Sequence, residues 1–275
     1  MAVLPGKGGK GQADNFTYPG GKGNRLRRTD PVLLDDCAKP RQPWRNASPP
    51  PCPYNQMGQT GPCTKPARMT RPVVLILAAG ASSRMRGADK LMQPVAGVPL
   101  LRHLIRVAQA SGAPVLVALP PGDSPRRALA EQAGAMDACA GLPGVGLVDV
   151  PDAGSGMAAS IRAGVAAAPG GSTGLLLMLA DMPEIQTTDL LRLLEAHAAD
   201  ASTTLRAASE RGVPGHPILF PAQHFPALCR LQGDSGARPV LAAGQVRLIP
   251  LPGSRALTDL DTPEDWLAWR AQTGL

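Results

Sequence analysis

Short runs of consecutive apolar residues alternate along this chain with longer stretches in which apolar residues recur every three or four positions. The clearest runs are Val73–Leu77 and residues 175–179. In neither do polar and apolar residues alternate, as they do in a strand with one solvent-exposed face. Such runs are typical of strands buried on both faces, and the stretches between them are typical of covering helices. The pattern predicts an α/β fold with a single, doubly wound, mostly parallel sheet.

The same alternation continues to the end of the chain. Strands are expected at residues 73–77, 115–119, 146–150, 175–179, 203–207, 218–220 and 246–251. Helices are expected at residues 99–110, 125–133, 155–167, 187–198 and 263–271. The start of the last helix is marked by Thr262 and Pro263, because Thr caps a helix and Pro suits its first turn.

The first 70 residues differ from the rest of the chain in composition. They are rich in Pro and Gly, and their apolar residues follow neither a helical nor a strand period. Such a segment buries too little apolar surface to offset the entropy lost on ordering. Residues 1–70 are therefore predicted to form a disordered, basic tail ahead of one domain, residues 71–275. Met69 offers an alternative translation start, in which case the tail is not translated.

A GxGxxG match lies within the tail, at residues 6–11. A dinucleotide-binding site of this type needs a strand before the glycines and a helix after them. Neither is predicted here, so the match is interpreted as chance.

Charge, hydropathy and cysteine content argue against several classes of protein. Residues 1–68 hold eleven of the 28 basic residues and four of the 21 acidic ones, so residues 69–275 are formally neutral. A nucleic-acid-binding face needs clustered basic residues on the folded part, so no nucleic-acid partner is expected. No apolar run approaches the roughly 18 residues of a membrane span, and the N-terminus lacks a signal peptide's apolar stretch, which predicts a cytoplasmic protein. The odd, widely spaced cysteines indicate unpaired thiols rather than a disulfide framework: Cys37, Cys52, Cys63, Cys139 and Cys229.

A loop rich in glycine, hydroxyl and basic residues follows the first predicted strand. Residues 78–91 read AAGASSRMRGADKL, with Arg84 and Lys90 as candidate ligands of phosphate. Ligands of open α/β sheets bind in the loops beyond the carboxyl ends of the strands, and backbone N–H groups beside cations suit a polyphosphate. The loop is not a Walker A sequence, because Lys90 is followed by Leu91 rather than by Ser or Thr. The alternative is an ordinary surface loop with solvated charges.

Two acidic positions are candidates for holding a metal ion. Asp181 directly follows residues 175–180, and a carboxylate at the end of a buried strand is costly unless it is paired or bound to metal. Asp259 and Asp261 point the same way if their segment is extended. Mg²⁺ prefers oxygen ligands and commonly sits on one or two carboxylates plus substrate phosphates. The alternative for the second position is an acidic start of the last helix, favourable beside the helix dipole.

Two common catalytic signatures are missing from the sequence. Residues 154–156 do not complete the GxSxG motif of a serine nucleophile, and the four histidines form no HxH or HxxxH pair. The chain therefore offers phosphate and metal ligands without an evident nucleophile, which fits a transfer reaction that forms no covalent protein intermediate.

Residues 77–91 resemble the opening L-A-[AG]-G-x-S-x-R-M-x-G-x-D-K-L of the molybdopterin nucleotidyltransferase family of NTP transferases. The resemblance implies a Rossmann-like sheet of the nucleotide-diphospho-sugar transferase type and Mg²⁺-dependent nucleotidyl transfer. It implies that Arg84 and Lys90 hold the triphosphate and act with Asp181 in catalysis. It further implies that Asp181 and Asp259 bind Mg²⁺, with Asp261 as the alternative second ligand. The nucleotide-binding residues that it implies within this stretch are Leu77, Ala78, Ala79, Gly80, Ser82, Ser83, Arg84 and Lys90.

Further stretches resemble the cytidylyl branch of the family. Residues 156–161 are similar to its G-M-x-x-S-[LI] segment, which implies that Gly156 and Ser160 contact the nucleotide. The sequences GHP at 215–217 and GDSGAR at 233–238 are similar to its G-H-P and G-D-x-G-A-R elements. These elements imply that His216 and Arg238 hold the phosphate of a pterin.

The function implied by the resemblance is transfer of CMP from CTP to the phosphate of molybdopterin cofactor, with release of pyrophosphate. The sequence LAAG at residues 77–80 is typical of the cytidylyl branch, whereas LAGG is typical of the guanylyl branch. A molybdoenzyme or its cofactor-insertion chaperone is the implied partner. A guanylyltransferase using GTP stays open, because residues 92–93 and Val150 depart from the cytidylyl pattern. A nucleotide-binding chaperone without catalysis stays open as well.

Overall fold

The computed structural model describes residues 71–138 and 143–275. The predicted tail, residues 1–70, lies outside the described residues, as do the GxGxxG match and four of the cysteines. Within the described residues the secondary structure alternates between strands and helices from β1 at Val73–Leu77 to a last helix that ends at Thr273.

Seven of the strands form one sheet. They are β1 (Val73–Leu77), β4 (Val115–Leu119), β5 (Val145–Asp149), β6 (Gly174–Leu179), β7 (Thr204–Ala208), β8 (Pro214–Pro221) and β9 (Val246–Pro250). Two short strands, β2 (Pro94–Val95) and β3 (Val98–Pro99), pair as a separate antiparallel hairpin.

The strand order of the large sheet is β5-β4-β1-β6-β8-β7-β9. β1 pairs in parallel with both β4 and β6, and β5 continues the parallel pairing beyond β4. β8 runs antiparallel to β6 and β7, whereas β9 is again parallel to β7. The sheet is therefore parallel except for one reversed strand, which confirms the predicted doubly wound, mostly parallel α/β fold.

Helices cover both faces of the sheet. They are α1 (Leu100–Ala110), α2 (Pro125–Ala138), α3 (Met157–Ala167), α4 (Thr187–Ala199), α5 (Phe225–Leu228), α6 (Arg238–Ala242) and α7 (Pro263–Thr273). Buried residues of α1, α2, α4 and α7 form one core cluster, and those of α3, α5 and α6 form a second.

The uninterrupted apolar sequence of β1 follows from this arrangement. Val74 and Ile76 point into the first cluster, and Val73 and Leu75 point into the second. All four are fully buried. Since water reaches neither face of this strand, no polar position alternates with the apolar ones.

Several element boundaries differ from those that the sequence predicts. α3 begins at Met157 rather than at residue 155, because Gly156 adopts φ = 109° and breaks the helical path. β8 begins four residues earlier than expected, although Pro214, Gly215 and Pro217 are poor strand formers. Pro214 pairs with Ala208 of β7, and the N–H of His216 donates to the carbonyl oxygen of Ala256, so contacts outside the local sequence hold this segment extended. The short helices α5 and α6 were not predicted.

The parallel register brings the carboxyl ends of β1, β4 and β6 to one edge of the sheet. Ligands of open α/β sheets bind at such an edge. The loops that follow β1 and β6 are the ones that carry Lys90 and Asp181, so the fold brings the predicted phosphate and metal residues to the same side. No helix in the described ranges has the length and apolar character needed to cross a membrane.

Candidate active site

The loop after β1 is tightly folded rather than extended into solvent. A short 3-10 turn spans Ser83–Met85, and the flanking residues Ser82 and Arg86 both have φ = 52°. Left-handed backbone is uncommon and strained for residues other than glycine. Met85 and Leu91 are buried and anchor the loop to the core. The shape of the loop therefore depends on contacts with other parts of the chain.

One of these contacts comes from Arg126 of α2, a residue that the sequence did not single out. The guanidinium of Arg126 reaches into the loop and hydrogen-bonds the carbonyl oxygens of Ala78 and Gly80, at 2.8 and 2.6 Å. It also contacts Ser82 Oγ at 2.8 Å and forms a two-pronged ion pair with Asp89. No local motif marks Arg126, because its partners lie 37 to 48 positions earlier in the chain.

Lys90 lies at the centre of the charged residues. Its Nζ is 2.7 Å from Asp181 Oδ2 and 2.7 Å from Asp261 Oδ1. Burial by itself lowers the pKa of Lys90, but the two carboxylates outweigh it, so the pKa is raised above the ordinary value. Lys90 is therefore a fixed ammonium cation at neutral pH. Arg84 also pairs with Asp261, which brings together both cations that the sequence predicted as phosphate ligands.

The segment that carries Asp259 and Asp261 is fastened to the loop after β6. Leu260 donates its backbone N–H to the carbonyl oxygen of Asp181 at 3.0 Å, and Leu260 itself is buried. Glu184 accepts hydrogen bonds from Thr258 and from Trp269 of α7. The acidic segment therefore reaches the site through packing at the end of the chain, far in sequence from β6.

The acidic start of α7 also caps the helix, which is the alternative role that the sequence allows for this segment. Thr262 and Asp265 form a reciprocal capping box at the N-terminus of α7. Glu264 pairs with Arg86 at 2.7 Å. Asp265 and Glu264 thus have structural partners, which leaves Asp259 and Asp261 as the carboxylates near Asp181.

Asp181 and Asp259 fit a divalent cation. Asp181 Oδ1 is buried and has no hydrogen-bond partner among the described residues. Burial and then the neighbouring charges of Asp181 and Asp261 raise the pKa of Asp259 above its ordinary value. Crowded carboxylates of this kind are relieved by a cation. The described residues contain no cluster of three His, Cys, Asp or Glu side chains that would make a complete protein site. Mg²⁺ commonly takes its other ligands from substrate phosphates and water.

A cavity of about 350 Å³ opens beside the loop after β1. Ala79 and Gly80, which the sequence predicts to be nucleotide-binding residues, line it on one side. The opposite side comes from the segments after β4 and β5, at residues 120–126 and 153–154. Leu77 ends β1, and Ser83 is exposed at the start of the 3-10 turn.

Gly156 and Ser160, which the sequence predicts to contact the nucleotide, are not among the residues that line this cavity. Ser160 is buried in α3. Gly156 packs so closely on the loop at 233–234 that an added Cβ would lie 2.4 Å from Asp234 Oδ1. The N–H groups of Met157 and Ala158 donate to Asp234 and Gly233. These two predicted sequence motifs therefore meet, and the start of α3 is bound by the protein's own loop.

A second cavity, of about 330 Å³, lies against the acidic residues and is lined by His216 and Arg238 as well as Asp259. Arg206 of β7, which the sequence analysis missed, lines it too and donates to the carbonyl oxygen of Gly215 at 2.9 Å. Neither Arg206 nor Arg238 forms an ion pair with any residue that the structure describes. Burial and then the charge of Arg238 lower the pKa of Arg206 below its ordinary value.

His216 is uncharged in this second cavity at neutral pH. Burial and the adjacent charge of Arg206 lower the pKa of His216 to about 4, although the charge of Asp181 acts in the opposite direction. Its Nδ1 is buried without a hydrogen-bond partner among the described residues. His216 can therefore offer a ligand a hydrogen bond but not a positive charge, whereas Arg206 and Arg238 supply the charge.

Part of the chain is similar in sequence to bacterial proteins. The chain is 34% identical over 119 residues to the purine catabolism protein PucB of Bacillus subtilis (strain 168), covering 42% of this chain and 56% of PucB. It is 33% identical over 131 residues to the bifunctional protein GlmU of Leifsonia xyli subsp. xyli, covering 47% of this chain and 25% of GlmU. The chain thus matches about half the length of the first relative and a quarter of the second.

The solved structure of Rv0371c from Mycobacterium tuberculosis H37Rv is similar over nearly its whole length. The TM-score is 0.60 at 28% sequence identity, covering 73% of this chain and 97% of Rv0371c. A complex of Rv0371c with manganese matches with a TM-score of 0.56 at 25% identity, covering 72% and 97% of the two chains.

The family model described as a MobA-like NTP transferase domain matches residues 74–248. This span begins in β1, contains the loop with Lys90 and the strand that precedes Asp181, and ends in β9. It covers well over half of the chain. The chain therefore belongs to the MobA-like NTP transferase family.

Proposed function

We propose that this protein is a Mg²⁺-dependent cytidylyltransferase, which transfers CMP from CTP to the phosphate of molybdopterin cofactor and releases pyrophosphate. The observation that carries the proposal is the position of the Lys90 ammonium, which belongs to the loop after β1 and lies 2.7 Å from both Asp181 and Asp261. A cation and several carboxylates grouped at the sheet edge where ligands bind are what a metal-bound triphosphate requires.

The reaction needs positioning and charge stabilisation rather than a protein nucleophile. An oxygen of the acceptor phosphate attacks the α-phosphorus of CTP in line, and the bond to the β-phosphate breaks as pyrophosphate leaves. Lys90 and Arg84 hold the triphosphate and neutralise the charge that develops on it. Asp181 and Asp259 are the residues that would hold Mg²⁺. When bound, this ion polarises the phosphoryl oxygens and orients the leaving group.

The cavity lined by Arg206, Arg238 and His216 supports an anionic acceptor. The two guanidinium groups have no carboxylate partner among the described residues and can each make paired hydrogen bonds to phosphate oxygens. The same cavity adjoins Asp259, so a phosphate held there lies close to the carboxylates proposed to bind Mg²⁺. This arrangement favours a phosphomonoester such as that of molybdopterin, whose product would pass to a molybdoenzyme or its cofactor-insertion chaperone.

The choice of CTP rests on Ala79. This residue lines the 350 Å³ cavity, and the family resemblance relates Ala at this position to the cytidylyl branch and Gly to the guanylyl branch. A methyl group on the wall favours the smaller pyrimidine ring over the larger purine. Guanylyl transfer from GTP is the alternative within the same family.

The proposal is tested by incubating the protein with each of the four NTPs and molybdenum-loaded molybdopterin in the presence of Mg²⁺, and measuring pyrophosphate release. We expect kcat/KM to be highest for CTP, and Ala79→Gly to reduce the preference for CTP over GTP. A preference for GTP in the unchanged protein would overturn the choice of base. Nucleotide binding without pyrophosphate release would instead support a non-catalytic, nucleotide-binding chaperone.

A further inference from the structure

All five N–H donors of Arg126 are used within one loop. Nε donates to Asp89 Oδ2 at 2.6 Å, and the two N–H groups of Nη1 donate to the carbonyl oxygens of Ala78 and Gly80. Those of Nη2 donate to Ser82 Oγ and to Asp89 Oδ1, at 2.8 and 2.7 Å. A guanidinium has no sixth donor and no acceptor. Arg126 therefore cannot itself bind a phosphate while these bonds are formed.

The contacts of Arg126 hold the backbone of the loop in a demanding shape. Ser82 has left-handed φ, a conformation that persists only where the surroundings enforce it. The carbonyl oxygens of Ala78 and Gly80 are turned towards Arg126. Among the described residues, the backbone N–H groups of Gly80 and Ala81 have no protein partner. The loop thus turns two carbonyl groups inward and leaves N–H groups available for an anion.

Asp89 extends the effect of Arg126 to Lys90. The Asp89 carboxylate pairs with Arg126 through both oxygens, and Oδ1 also accepts the N–H of Leu91 at 3.0 Å. Burial alone raises the pKa of Asp89, but these bonds and the charge of Arg126 outweigh it, so the pKa is lowered. Asp89 is therefore an ionised carboxylate immediately before Lys90. Its bonds to Arg126 and to the N–H of Leu91 fix the backbone before and after Lys90.

Arg126 is itself held rigidly. It stands in the first turn of α2, which packs against α1, and its side chain is 9% exposed. The opposite wall of the 350 Å³ cavity contains Arg126 as well as Ser124 and Pro125. One residue thus connects the two sides of the cavity, across a separation of up to 48 positions in the sequence.

We propose that Arg126 is a positioning residue, which holds the loop at 78–91 in the form that binds a nucleoside triphosphate and aligns Lys90 with it. This inference rests on the proposed function, because it takes the loop to be the triphosphate site. It adds a residue that binds no substrate, yet determines nucleotide affinity through five hydrogen bonds to the loop.

The test is Arg126→Lys, which keeps the charge but cannot make five hydrogen bonds in a planar fork. We expect the Kd for Mg²⁺·CTP, measured by calorimetry, and the KM for CTP to rise on the order of tenfold to hundredfold. The KM for molybdopterin should stay within about twofold, since the contacts of Arg126 are all on the nucleotide side. Arg192→Lys is the matched control, because Arg192 is an exposed arginine of α4 whose one hydrogen bond among the described residues goes to the carbonyl oxygen of Pro250.

Different outcomes separate this inference from the proposed function. An unchanged protein that binds none of the four NTPs would contradict the proposed function. Tight CTP binding by the unchanged protein and by Arg126→Lys alike would overturn the role of Arg126 alone. So would a lower melting temperature with both KM values unchanged, since this would mean that Arg126 only stabilises the fold. If Arg126→Lys does not fold, Asp89→Asn weakens the same ion pair from the other side, and the same rise in KM for CTP is expected.

Discussion

At the scale of single residues, the site is organised by one ammonium group among several carboxylates. Lys90 lies between Asp181 and Asp261, and its side chain is only 15% exposed. Removing one partner of a buried charged pair leaves the other charge uncompensated, which usually costs more than the pair itself contributes. Loss of the Asp181 charge should therefore lower kcat and leave the Lys90 charge less well compensated. The variant that tests this must keep the shape of the carboxylate.

We expect Asp181→Asn to fold normally and to lose on the order of 10²–10³ in kcat, because the amide keeps the size of the carboxylate but removes its charge. Asp259→Asn should lose less, since an amide oxygen still binds a hard cation and the ion pair between Asp181 and Lys90 stays intact. Asp149→Asn is the matched control at the end of β5, where the carboxylate is 60% exposed and pairs with Arg127. The measurements are Mg²⁺-dependent turnover and melting temperature. Normal turnover by Asp181→Asn would contradict its assigned role, and unfolding would indicate a structural one.

A second residue-scale prediction concerns His216, whose pKa is lowered to about 4 by burial and by Arg206. In the unfolded chain a histidine takes up its proton near pH 6.5, so the unfolded state binds more protons between pH 6.5 and 4. The stability contributed by neutral His216 is therefore complete above pH 6.5 and is lost as pH falls towards 4, by about 3 kcal/mol in all. Burial also lowers the pKa of His103 and His197, which act in the same direction.

We expect His216→Gln to have a flatter dependence of the free energy of unfolding on pH between 6.5 and 4. Urea unfolding of the metal-free protein at several pH values measures it. An unchanged slope would mean that His216 is protonated in the folded protein.

At the scale of elements, the contact between α3 and the sheet depends on a glycine. A Cβ added to Gly164 would lie 2.2 Å from one methyl carbon of Leu75 and 2.9 Å from its Cγ. Leu75 is fully buried in β1, so its side chain has no free space to move into. The close approach of α3 to the strand therefore requires the absence of a side chain at this position.

Gly164→Ala is expected to lower the free energy of unfolding by about 1–3 kcal/mol, because overpacking outweighs the better helix propensity of alanine. Gly170→Ala is the matched control, since an added Cβ there meets nothing within 4 Å. The control should stay within about 0.5 kcal/mol of the unchanged protein. Chemical unfolding of both variants provides the comparison. Equal stability of the two would contradict the close packing of α3 on β1.

At the scale of the whole molecule, the residues that the structure describes supply two core clusters, one on each face of the sheet. The seven-stranded sheet, the helices on its two faces and both cavities all lie within the described ranges 71–138 and 143–275. Stability in such a domain comes mainly from apolar burial in these clusters. The composition of residues 1–70 offers little apolar surface to add to them.

We therefore expect a shortened chain that begins at Met69 to match the full chain in melting temperature and turnover. Thermal unfolding and pyrophosphate release from CTP are the measurements. A loss of turnover beyond about tenfold, equivalent to about 1.4 kcal/mol of activation free energy, would show that the first 68 residues contribute to the reaction.

The sequence by itself determined the features that depend on local burial and local turns. An apolar run without polar alternation reports a strand with two buried faces, so β1, β4 and β6 and the parallel core of the sheet could be predicted. The position of the loop at 78–91 and of Asp181 at one edge of the sheet could be predicted, because each directly follows such a run and parallel strands end at the same edge. The cap of α7 was equally local, since Thr262 and Asp265 are three positions apart.

Only the tertiary structure decided which distant side chains meet at that edge. Arg126 reaches a carbonyl group 48 positions away, and Lys90 meets Asp261 across 171 positions. In the sequence, nothing distinguishes Arg206 from other polar residues of predicted strands. In the structure, β8 runs antiparallel beside β7, and Arg206 lines the same cavity as Arg238. Periodicity along a chain reports whether a side chain is buried, but it carries no information about the partner. The partner is set by strand order and by which helices pack together, and these depend on the free energy of the whole fold.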